Sequence, residues 1–234
     1  MLKKYLNYLY KKAESDKIND IRQALSKLPS GGILLDVGCW DGINSLKWAD
    51  ALKAKKIIGL EVVKKVLPKA KKLGIEVYDI DLDKEKWPII YNTIDYVVSN
   101  LVIEHLTNVD HFISESERVL RKGGYTIVSS NNLSSWHNIF SLLSGWTPFD
   151  LTCSSSRVWS LGNPLAIHNM KSSYYGSTFT HKCVYTIRWL REWYQLYNFE
   201  LVEVYGAGYY PLPSVFAKID KNHSAFITLV FKKK

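Results

Sequence analysis

Between residues 33 and 130, short apolar runs alternate with amphipathic stretches, and this alternation constrains the fold more than any other feature of the chain. The apolar runs predict strands at 33–37, 56–60, 75–80, 94–99 and 125–129. The stretches between them predict helices at 43–54, 62–73 and 109–121. Strands that alternate with helices imply βαβ units and a parallel sheet. Right-handed crossovers build such units into a doubly wound sheet, with its ligand site at the carboxyl ends of the strands.

The pattern breaks after Ser130. Residues 131–184 are rich in Ser, Asn, Gly and aromatic residues, and they carry few charges. A segment this long inside a compact domain is typical of a lid or a substrate-binding insertion. Regular structure is predicted again as a helix at 185–197 and strands at 200–205 and 225–231, and a first helix is predicted at 2–28.

The composition favours one intracellular domain. With 234 residues and 47% apolar side chains, the chain can bury a full core. It contains no apolar run long enough to cross a membrane, and Met1 to Lys4 lead into a polar segment, so we expect a soluble, cytoplasmic protein. Cys39, Cys153 and Cys183 are odd in number and widely spaced, so we expect neither a disulfide framework nor a metal site.

The net charge of +9 is concentrated in one region. Eight lysines and one acidic residue lie between Ala51 and Ile75. Lys64, Lys65 and the lysines that follow are predicted on a surface helix, where long amines usually form a solvated face. The alternative is a contact with phosphate or anionic lipid.

One motif combines a strand, a tight glycine turn and a helix. It runs Leu34-Leu35-Asp36-Val37-Gly38-Cys39-Trp40-Asp41-Gly42. Glycine permits positive φ and lets the backbone approach a ligand without an intervening Cβ. Such turns also serve simply to connect strands to helices, and Asp36 could hold the turn by bonding backbone amides.

Polar side chains follow the next three strands at the same edge of the sheet. Glu61 ends the second strand about 20 residues past the turn, where a carboxylate can accept both hydroxyls of a ribose. Asp81 and Leu82 follow the third strand, where an adenine would sit, and Asp79 competes with Asp81 for that role. Asn100 ends the fourth strand. Together with the turn, these residues indicate a nucleoside-containing ligand.

These residues resemble the class I S-adenosylmethionine-dependent methyltransferases, especially the small-molecule group called type 11. Residues 33–130 carry the resemblance, and the Asp-x-Gly-x-Gly element of the family is matched from Asp36 to Gly42, with Trp40 in place of the second glycine. The resemblance implies S-adenosylmethionine as cofactor and a Rossmann-like, doubly wound, mostly parallel seven-stranded α/β sheet with a lid-like insertion after the fifth strand. It assigns cofactor binding to Asp36, Gly38, Cys39, Gly42, Glu61, Asp81, Leu82 and Asn100.

The resemblance also divides the chain into regions of a single methyltransferase domain, 1–234. These regions are an N-terminal helical cap (1–30), a cofactor-binding core (33–130), a substrate-side insertion (131–184), and a C-terminal helix with the last strands (185–234). A dinucleotide enzyme is disfavoured, because its fingerprint is G-x-G-x-x-G, whereas this turn has Gly38 and Gly42 separated by three other residues.

Several histidines are candidates for acid or base chemistry. His105 lies in the segment that the resemblance places beneath the cofactor, so it is the catalytic candidate, although it could also simply pack there. His137, His168 and His181 lie in or beside the insertion and are interpreted as polar loop residues. The aromatic residues of the insertion are interpreted as local core, with a possible use as an apolar lid that excludes water.

The chemistry of the acceptor is narrowed by what the chain lacks. Fourth-strand residues Ser99 to Val102 contain no proline of the kind found in enzymes that methylate amino groups of adenine or glutamine, and no Pro-Cys pair is present for attack on cytosine. The insertion has only three basic residues and one acidic residue, which makes a nucleic-acid groove an unfavourable interpretation. A small-molecule or amphiphilic acceptor is therefore expected. Segments such as Ser135-Trp136-His137-Asn138 and Gly145-Trp146-Thr147-Pro148-Phe149 also resemble a prokaryotic branch of the type 11 enzymes, some of which are associated with surface glycans or lipids, and this looser resemblance implies O-methylation of a sugar or lipid-linked acceptor.

Two other functions stay open at this point. One is an RNA methyltransferase that uses the lysine-rich region for phosphate contacts, and the other is a non-catalytic module that binds S-adenosylmethionine. The segment from Leu2 to Lys12 is expected to cap the cofactor cleft, and the alternative is peripheral contact with a membrane surface. The sequence leaves the oligomeric state open.

Overall fold

Seven strands form one mixed sheet in the computed structural model, which describes residues 2–155, 157–166 and 177–234. The strands are β1 (Ile33–Val37), β2 (Lys56–Glu61), β3 (Glu76–Asp79), β4 (Ile94–Asn100), β5 (Leu120–Asn131), β6 (Phe199–Ala207) and β7 (Phe226–Lys233). Their order is β3-β2-β1-β4-β5-β7-β6, with β7 antiparallel to both neighbours and all other pairs parallel. The prediction of a doubly wound, mostly parallel seven-stranded sheet is confirmed.

The strand register brings the carboxyl ends of the central strands to one level. Val37 at the end of β1 lies opposite Leu60 of β2 and Ser99 of β4. The strand order reverses between β1 and β4, and open α/β sheets bind their ligands in the crevice at such a point. The fold therefore places the ends of β1, β2 and β4 around a common crevice.

Helices cover both faces of the sheet. They are α1 (Leu2–Ser26), α2 (Ile43–Leu52), α3 (Leu67–Lys72), α4 (Val109–Val119), α5 (Trp136–Leu143) and α6 (Ile187–Gln195). Leu34 belongs to a buried cluster with Ile21 and Trp48, whereas its neighbour Leu35 belongs to a second cluster with Phe112 and Leu190. Each such side chain contributes about 1.5–3 kcal/mol when fully buried. Successive side chains of a strand point to opposite faces of the sheet. A strand that is apolar throughout therefore needs helices on both faces.

The helix that follows β2 is shorter than predicted. Pro68 occupies its first turn, where the missing N–H of proline costs nothing and its fixed φ favours a helix start. The helix therefore begins at Leu67, and the prediction that Lys64 and Lys65 lie on it is wrong. Lys64 instead forms an ion pair with Asp79 at 3.3 Å, which offsets part of the local positive charge.

The N-terminal helix packs against α2 and against the C-terminal strands β6 and β7. Its Lys17 is buried, with Nζ 4.7 Å from the centre of the Phe226 ring, and burial lowers the pKa of this amine to about 8. Among the described helices, none has the length and apolar character needed to cross a membrane. The idea that residues 1–30 cap a cofactor cleft stays a prediction.

Polar side chains fix the insertion to the end of the sheet. The Asn132 side chain donates hydrogen bonds to the carbonyl groups of Asn222 (2.8 Å) and Ser224 (2.7 Å). Asp150 accepts hydrogen bonds from the side chains of Asn131 and Asn138, each at 2.6 Å. The described part of the insertion is thus tied to the carboxyl end of β5, beside the crevice.

Candidate active site

A cavity of about 440 Å³ opens at the carboxyl ends of the parallel strands. This volume lies within the range of small-molecule sites. Six of the residues predicted from the sequence line it: Gly38, Glu61, Asp81, Leu82, Asn100 and His105. They lie at the carboxyl ends of four different strands or in the loops that follow, so the sheet gathers at one place groups that are far apart along the chain.

The glycine turn forms one wall through its backbone. Gly38 has φ of +77°, and a Cβ at this position would lie 2.4 Å from the Val102 side chain, so only glycine fits. Trp40, which replaces the second glycine of the motif, also has positive φ, at 50°. A left-handed conformation costs a residue other than glycine about 1–2 kcal/mol. The Trp40 amide recovers part of this cost by donating a hydrogen bond to Glu61 Oε2 at 2.9 Å.

The Trp40 side chain connects the turn to the insertion. Its ring meets the Phe179 ring edge to face, with centres 5.7 Å apart and planes at 87°. Such pairs contribute about 0.5–1.5 kcal/mol beyond the area they bury. The departure from glycine therefore gives the glycine turn a direct contact with the insertion at the wall of the cavity.

Three of the predicted cofactor residues, Asp36, Cys39 and Gly42, lie behind the turn and do not line the cavity. Asp36 is buried and accepts a hydrogen bond from Ser45 Oγ at 2.5 Å, and burial raises its pKa to about 7. The Cys39 thiol fills the space beside Gly59, where a Cβ would come within 2.5 Å of its sulfur. Gly42 has φ of +84° and packs against α3. Their geometry indicates support of the turn, and a direct role in cofactor binding stays a prediction.

Glu61 is held by backbone amides on both oxygens. Oε1 accepts hydrogen bonds from the amides of Val62 (2.9 Å) and Val63 (2.8 Å), and Oε2 accepts one from Trp40. A carboxylate offers about four acceptor positions, so at least one stays available for a ligand hydroxyl. The carboxylate is thus fixed in place before any ligand binds.

The two aspartates after β3 are separated by the fold. Asp81 lines the cavity, and its Oδ1 accepts a hydrogen bond from the Asp83 amide at 3.0 Å. Asp79 is paired with Lys64 and is not among the cavity-lining residues that the structure describes. Of the two, only Asp81 is in position for the adenine role that the sequence left between them.

The Asn100 side chain brings an unpaired polar atom to the cavity. Its Oδ1 is buried and has no hydrogen-bond partner among the described residues. A buried acceptor left unpaired costs about 1–3 kcal/mol, and such atoms are rare in native proteins. Because Asn100 lines the cavity, this oxygen fits a ligand that brings a donor, as a nucleoside cofactor does.

His105 lines the other end of the cavity, and Glu104 and His181 lie next to it without being among the cavity-lining residues that the structure describes. Glu104 is fully buried, with Oε2 accepting a hydrogen bond from Ser130 Oγ at 3.0 Å and Oε1 unpaired among the described residues. The rings of His105 and His181 lie 4.8 Å apart. From the sequence, His181 was interpreted as a polar loop residue and no metal site was expected. The distance between His105 and His181 along the chain gives no indication that their side chains meet.

The electrostatics of this cluster differ between its two imidazoles. Burial lowers the pKa of His105, which keeps it neutral near pH 7. Burial also disfavours the charged form of His181, but the Cys153 side chain and the Glu104 carboxylate outweigh it and raise the pKa of His181 to about 9. The space beside Glu104 therefore favours a positive charge.

His137, another histidine of the insertion, contacts an aspartate that also binds neighbouring asparagine side chains. His137 Nε2 lies 3.4 Å from Asp150 Oδ2. Burial raises the pKa of Asp150, but hydrogen bonds from His137 and Asn138 outweigh it and hold that pKa below its usual range. His168 lies outside the described residues.

Residues of the insertion that sequence reasoning did not select complete the cavity. They are Thr178, Phe179 and Lys182. The Lys182 amide donates a hydrogen bond to the Glu104 carbonyl at 2.7 Å, which ties this segment to the turn after β4. The only signal in the sequence was their place in a long insertion, which does not distinguish them from their neighbours.

Comparison with known proteins agrees with this geometry. Residues 35–128 match the type 11 family described as "Methyltransferase domain". A protein of Mycolicibacterium smegmatis named as a probable S-adenosylmethionine-dependent methyltransferase is 30% identical over 128 residues, which cover 54% of this chain and 46% of that protein. The malonyl-[acyl-carrier protein] O-methyltransferase of Hamiltonella defensa is 31% identical over 97 residues, 42% of this chain and 37% of that enzyme. The chain thus spans less than half the length of these two relatives.

The whole fold is also found in solved structures. The crystal structure of an S-adenosylmethionine-dependent methyltransferase from Mesorhizobium loti superposes with a TM-score of 0.60, covering 96% of this chain and 100% of that one. The two sequences are 15% identical, so the likeness concerns the fold.

Proposed function

We propose that this chain, which belongs to the type 11 group of class I S-adenosylmethionine-dependent methyltransferases, transfers a methyl group from that cofactor to an oxygen atom of a small-molecule, sugar or lipid-linked acceptor. The proposal depends most on one observation. His105 and predicted cofactor residues at the ends of β1, β2, β3 and β4 line a single cavity.

The residues of this chain fit the cofactor. The fixed carboxylate of Glu61 can accept ribose hydroxyls, and the unpaired Oδ1 of Asn100 can accept a further donor. Gly38 leaves backbone exposed where a side chain would block the approach. When bound, S-adenosylmethionine supplies a methyl group on a positively charged sulfur.

In the proposed reaction, an acceptor hydroxyl oxygen attacks the methyl carbon. The oxygen–carbon bond forms as the carbon–sulfur bond breaks, its electron pair returns to sulfur, and the hydroxyl proton passes to a base, for which the His105 imidazole is the candidate. The chain gains rate by aligning the two partners and by excluding water with the Phe179 wall. His105 is the catalytic candidate, because it lines the cavity and its lowered pKa leaves the imidazole neutral.

Two observations support the acceptor class. One relative is named as an O-methyltransferase. In addition, α5 of the insertion exposes Phe140, Leu142 and Leu143, with 51%, 55% and 84% of their surface accessible. An apolar surface on the insertion suits an amphiphilic acceptor, since single exposed apolar residues are common on surfaces but contiguous apolar patches indicate binding.

Methyl transfer from labelled cofactor tests the proposal. The protein is incubated with S-adenosylmethionine carrying a labelled methyl group and with lipid, small-molecule and RNA fractions of a cell extract. We expect label in the lipid or small-molecule fraction, lost with Glu61→Gln and retained with Asp79→Asn, which removes a carboxylate outside the cavity. Label in RNA alone, or cofactor binding without transfer to any fraction, would contradict it.

A further inference from the structure

The cluster of Glu104, His105 and His181 has the composition of a metal site. Glu104 and His105 belong to the short 3₁₀ helix Ile103–His105, which follows β4, and His181 comes from the insertion. One ligand atom from each of the three side chains lies within 4.8 Å of the other two. The backbone bond from Lys182 to Glu104 holds the two segments together.

Both imidazoles are oriented by backbone carbonyl groups. His105 Nδ1 lies 3.2 Å from the Thr180 carbonyl oxygen, and His181 Nδ1 lies 2.5 Å from the Asp150 carbonyl oxygen. A carbonyl can only accept, so each Nδ1 carries a proton, and each Nε2 presents a lone pair to a metal ion once any second proton has been released. Histidines that bind metals are usually oriented in this way, with the second nitrogen donating to a carbonyl or carboxylate.

The carboxylate adds an independent observation. Glu104 is 0% exposed, yet in the part of the chain that the structure describes its Oε1 has no hydrogen-bond partner and its carboxylate forms no ion pair within 4.0 Å. A buried charge is normally paired or bound to a metal, because desolvation without compensation is costly. The unpaired oxygen therefore points to a cation that completes the cluster.

We propose that Glu104, His105 and His181 bind a divalent transition-metal ion, for which Zn²⁺ is the best match. Two imidazoles and one carboxylate suit this class of ion, whereas Mg²⁺ and Ca²⁺ prefer ligand sets made of oxygen. Catalytic zinc sites have three protein ligands and one open position. Tetrahedral bonds of about 2.1 Å place ligand atoms roughly 3.4 Å apart, so the three side chains draw together when the ion binds.

The inference rests on the proposed function and gives it a specific acceptor chemistry. His105 lines the cavity, so an ion held by the three residues would lie next to the space for the acceptor. It would supply a Lewis acid that lowers the pKa of the acceptor hydroxyl, whose proton would pass to solvent. The acceptor oxygen would then attack the methyl carbon as the carbon–sulfur bond breaks and its electron pair returns to sulfur. In this arrangement His105 acts as a ligand of the ion, and the ion takes the place of a general base.

Metal titration of the chelator-treated, dialysed protein tests the site without any cofactor or acceptor. Calorimetry with Zn²⁺ is expected to give one site per chain, and Co²⁺ is expected to give the visible bands of a four- or five-coordinate ion. His181→Ala and Glu104→Gln should each weaken Zn²⁺ binding by about tenfold or more. His223→Ala is the matched control, because His223 pairs with Asp220 and does not belong to the cluster of Glu104, His105 and His181.

Two results would overturn the inference. The first is a folded wild-type protein that binds neither Zn²⁺ nor Co²⁺. The second is zinc binding lost in Cys153→Ser but retained in Glu104→Gln, which would place the ion on the thiol near His181. Titration with S-adenosylmethionine in the presence of chelator separates the two proposals, since cofactor binding without metal binding removes the metal site and leaves the methyltransferase standing.

Discussion

Replacing Glu61 with Gln is the sharpest test of the cofactor site, because the carboxylate holds three backbone amides and is expected to hold the ligand as well. In the variant, the single amide oxygen can keep the bonds from Val62 and Val63, but the NH₂ group then faces the Trp40 amide. A buried donor left unpaired costs about 1–3 kcal/mol. In a domain of this size, each kcal/mol lowers the Tm by about 2–4 °C.

The loss of ligand binding is a separate quantity. A hydrogen bond to a charged group contributes about 1.5–3 kcal/mol, and the substitution removes the charge from the proposed ribose contact. At 1.4 kcal/mol for each factor of ten, the Kd for S-adenosylmethionine should rise roughly 10- to 150-fold. The two losses therefore have different readouts.

Calorimetric titration and thermal unfolding of the same preparations measure both quantities. Asp79→Asn is the matched control, because its side chain is 41% exposed and forms a surface ion pair with Lys64. Surface pairs contribute little, so the control Kd should stay within about twofold of wild type. A Glu61→Gln variant with a lower Tm and a Kd within about threefold of wild type would refute the ligand role and leave Glu61 as a support of the turn.

Three further outcomes follow from the geometry. Gly38→Ala should lower the free energy of unfolding by about 1–3 kcal/mol, measured by chemical denaturation, because the new Cβ meets Val102 at positive φ; an unchanged midpoint would contradict this. Asn100→Leu should leave the Tm of the free protein unchanged or higher, since an unpaired buried oxygen is removed, while the Kd for S-adenosylmethionine rises roughly 2- to 10-fold. Burial raises the pKa of Asp20 and Asp36 to about 7, so the stability they contribute is present below pH 4 and lost as the pH rises through 7. Asp20→Asn should flatten part of this fall in Tm, and an unaltered pH profile would count against it.

The strands that have glycines at their ends could be predicted from the sequence, because local residues determine where these strands begin and end. β1 runs from Ile33 to Val37 as predicted, between a glycine pair and the glycine turn. β5 was predicted at 125–129 but extends from Leu120 to Asn131. Its first residue pairs with Ile94 before a register shift, and this contact brings the glycine-containing turn into the strand. Tertiary pairing of this kind leaves no trace in local composition.

The residues of the candidate site also fall into two groups, those that could be predicted from the sequence and those that could not. Glu61, Asp81 and Asn100 could be selected because they directly follow recognisable strands, and parallel strands end at one edge. His181 and Phe179 could not, because the insertion has no periodicity that fixes which of its residues turn inward. Their positions depend on long-range contacts such as the bond between Lys182 and the Glu104 carbonyl.

The Phe179 side chain makes a contact that depends on the replacement of glycine by Trp40 in the motif. Its ring contacts Trp40 of the cofactor turn and also lies 6.1 Å from the His105 ring, at 70°. One aromatic side chain thus forms a wall shared by the glycine-turn end and the His105 end of the cavity. A glycine at position 40 would relieve backbone strain of about 1–2 kcal/mol but would remove this contact. The strain is therefore offset by an apolar wall of the cavity, whose role under the proposed function is to keep water from the reacting groups.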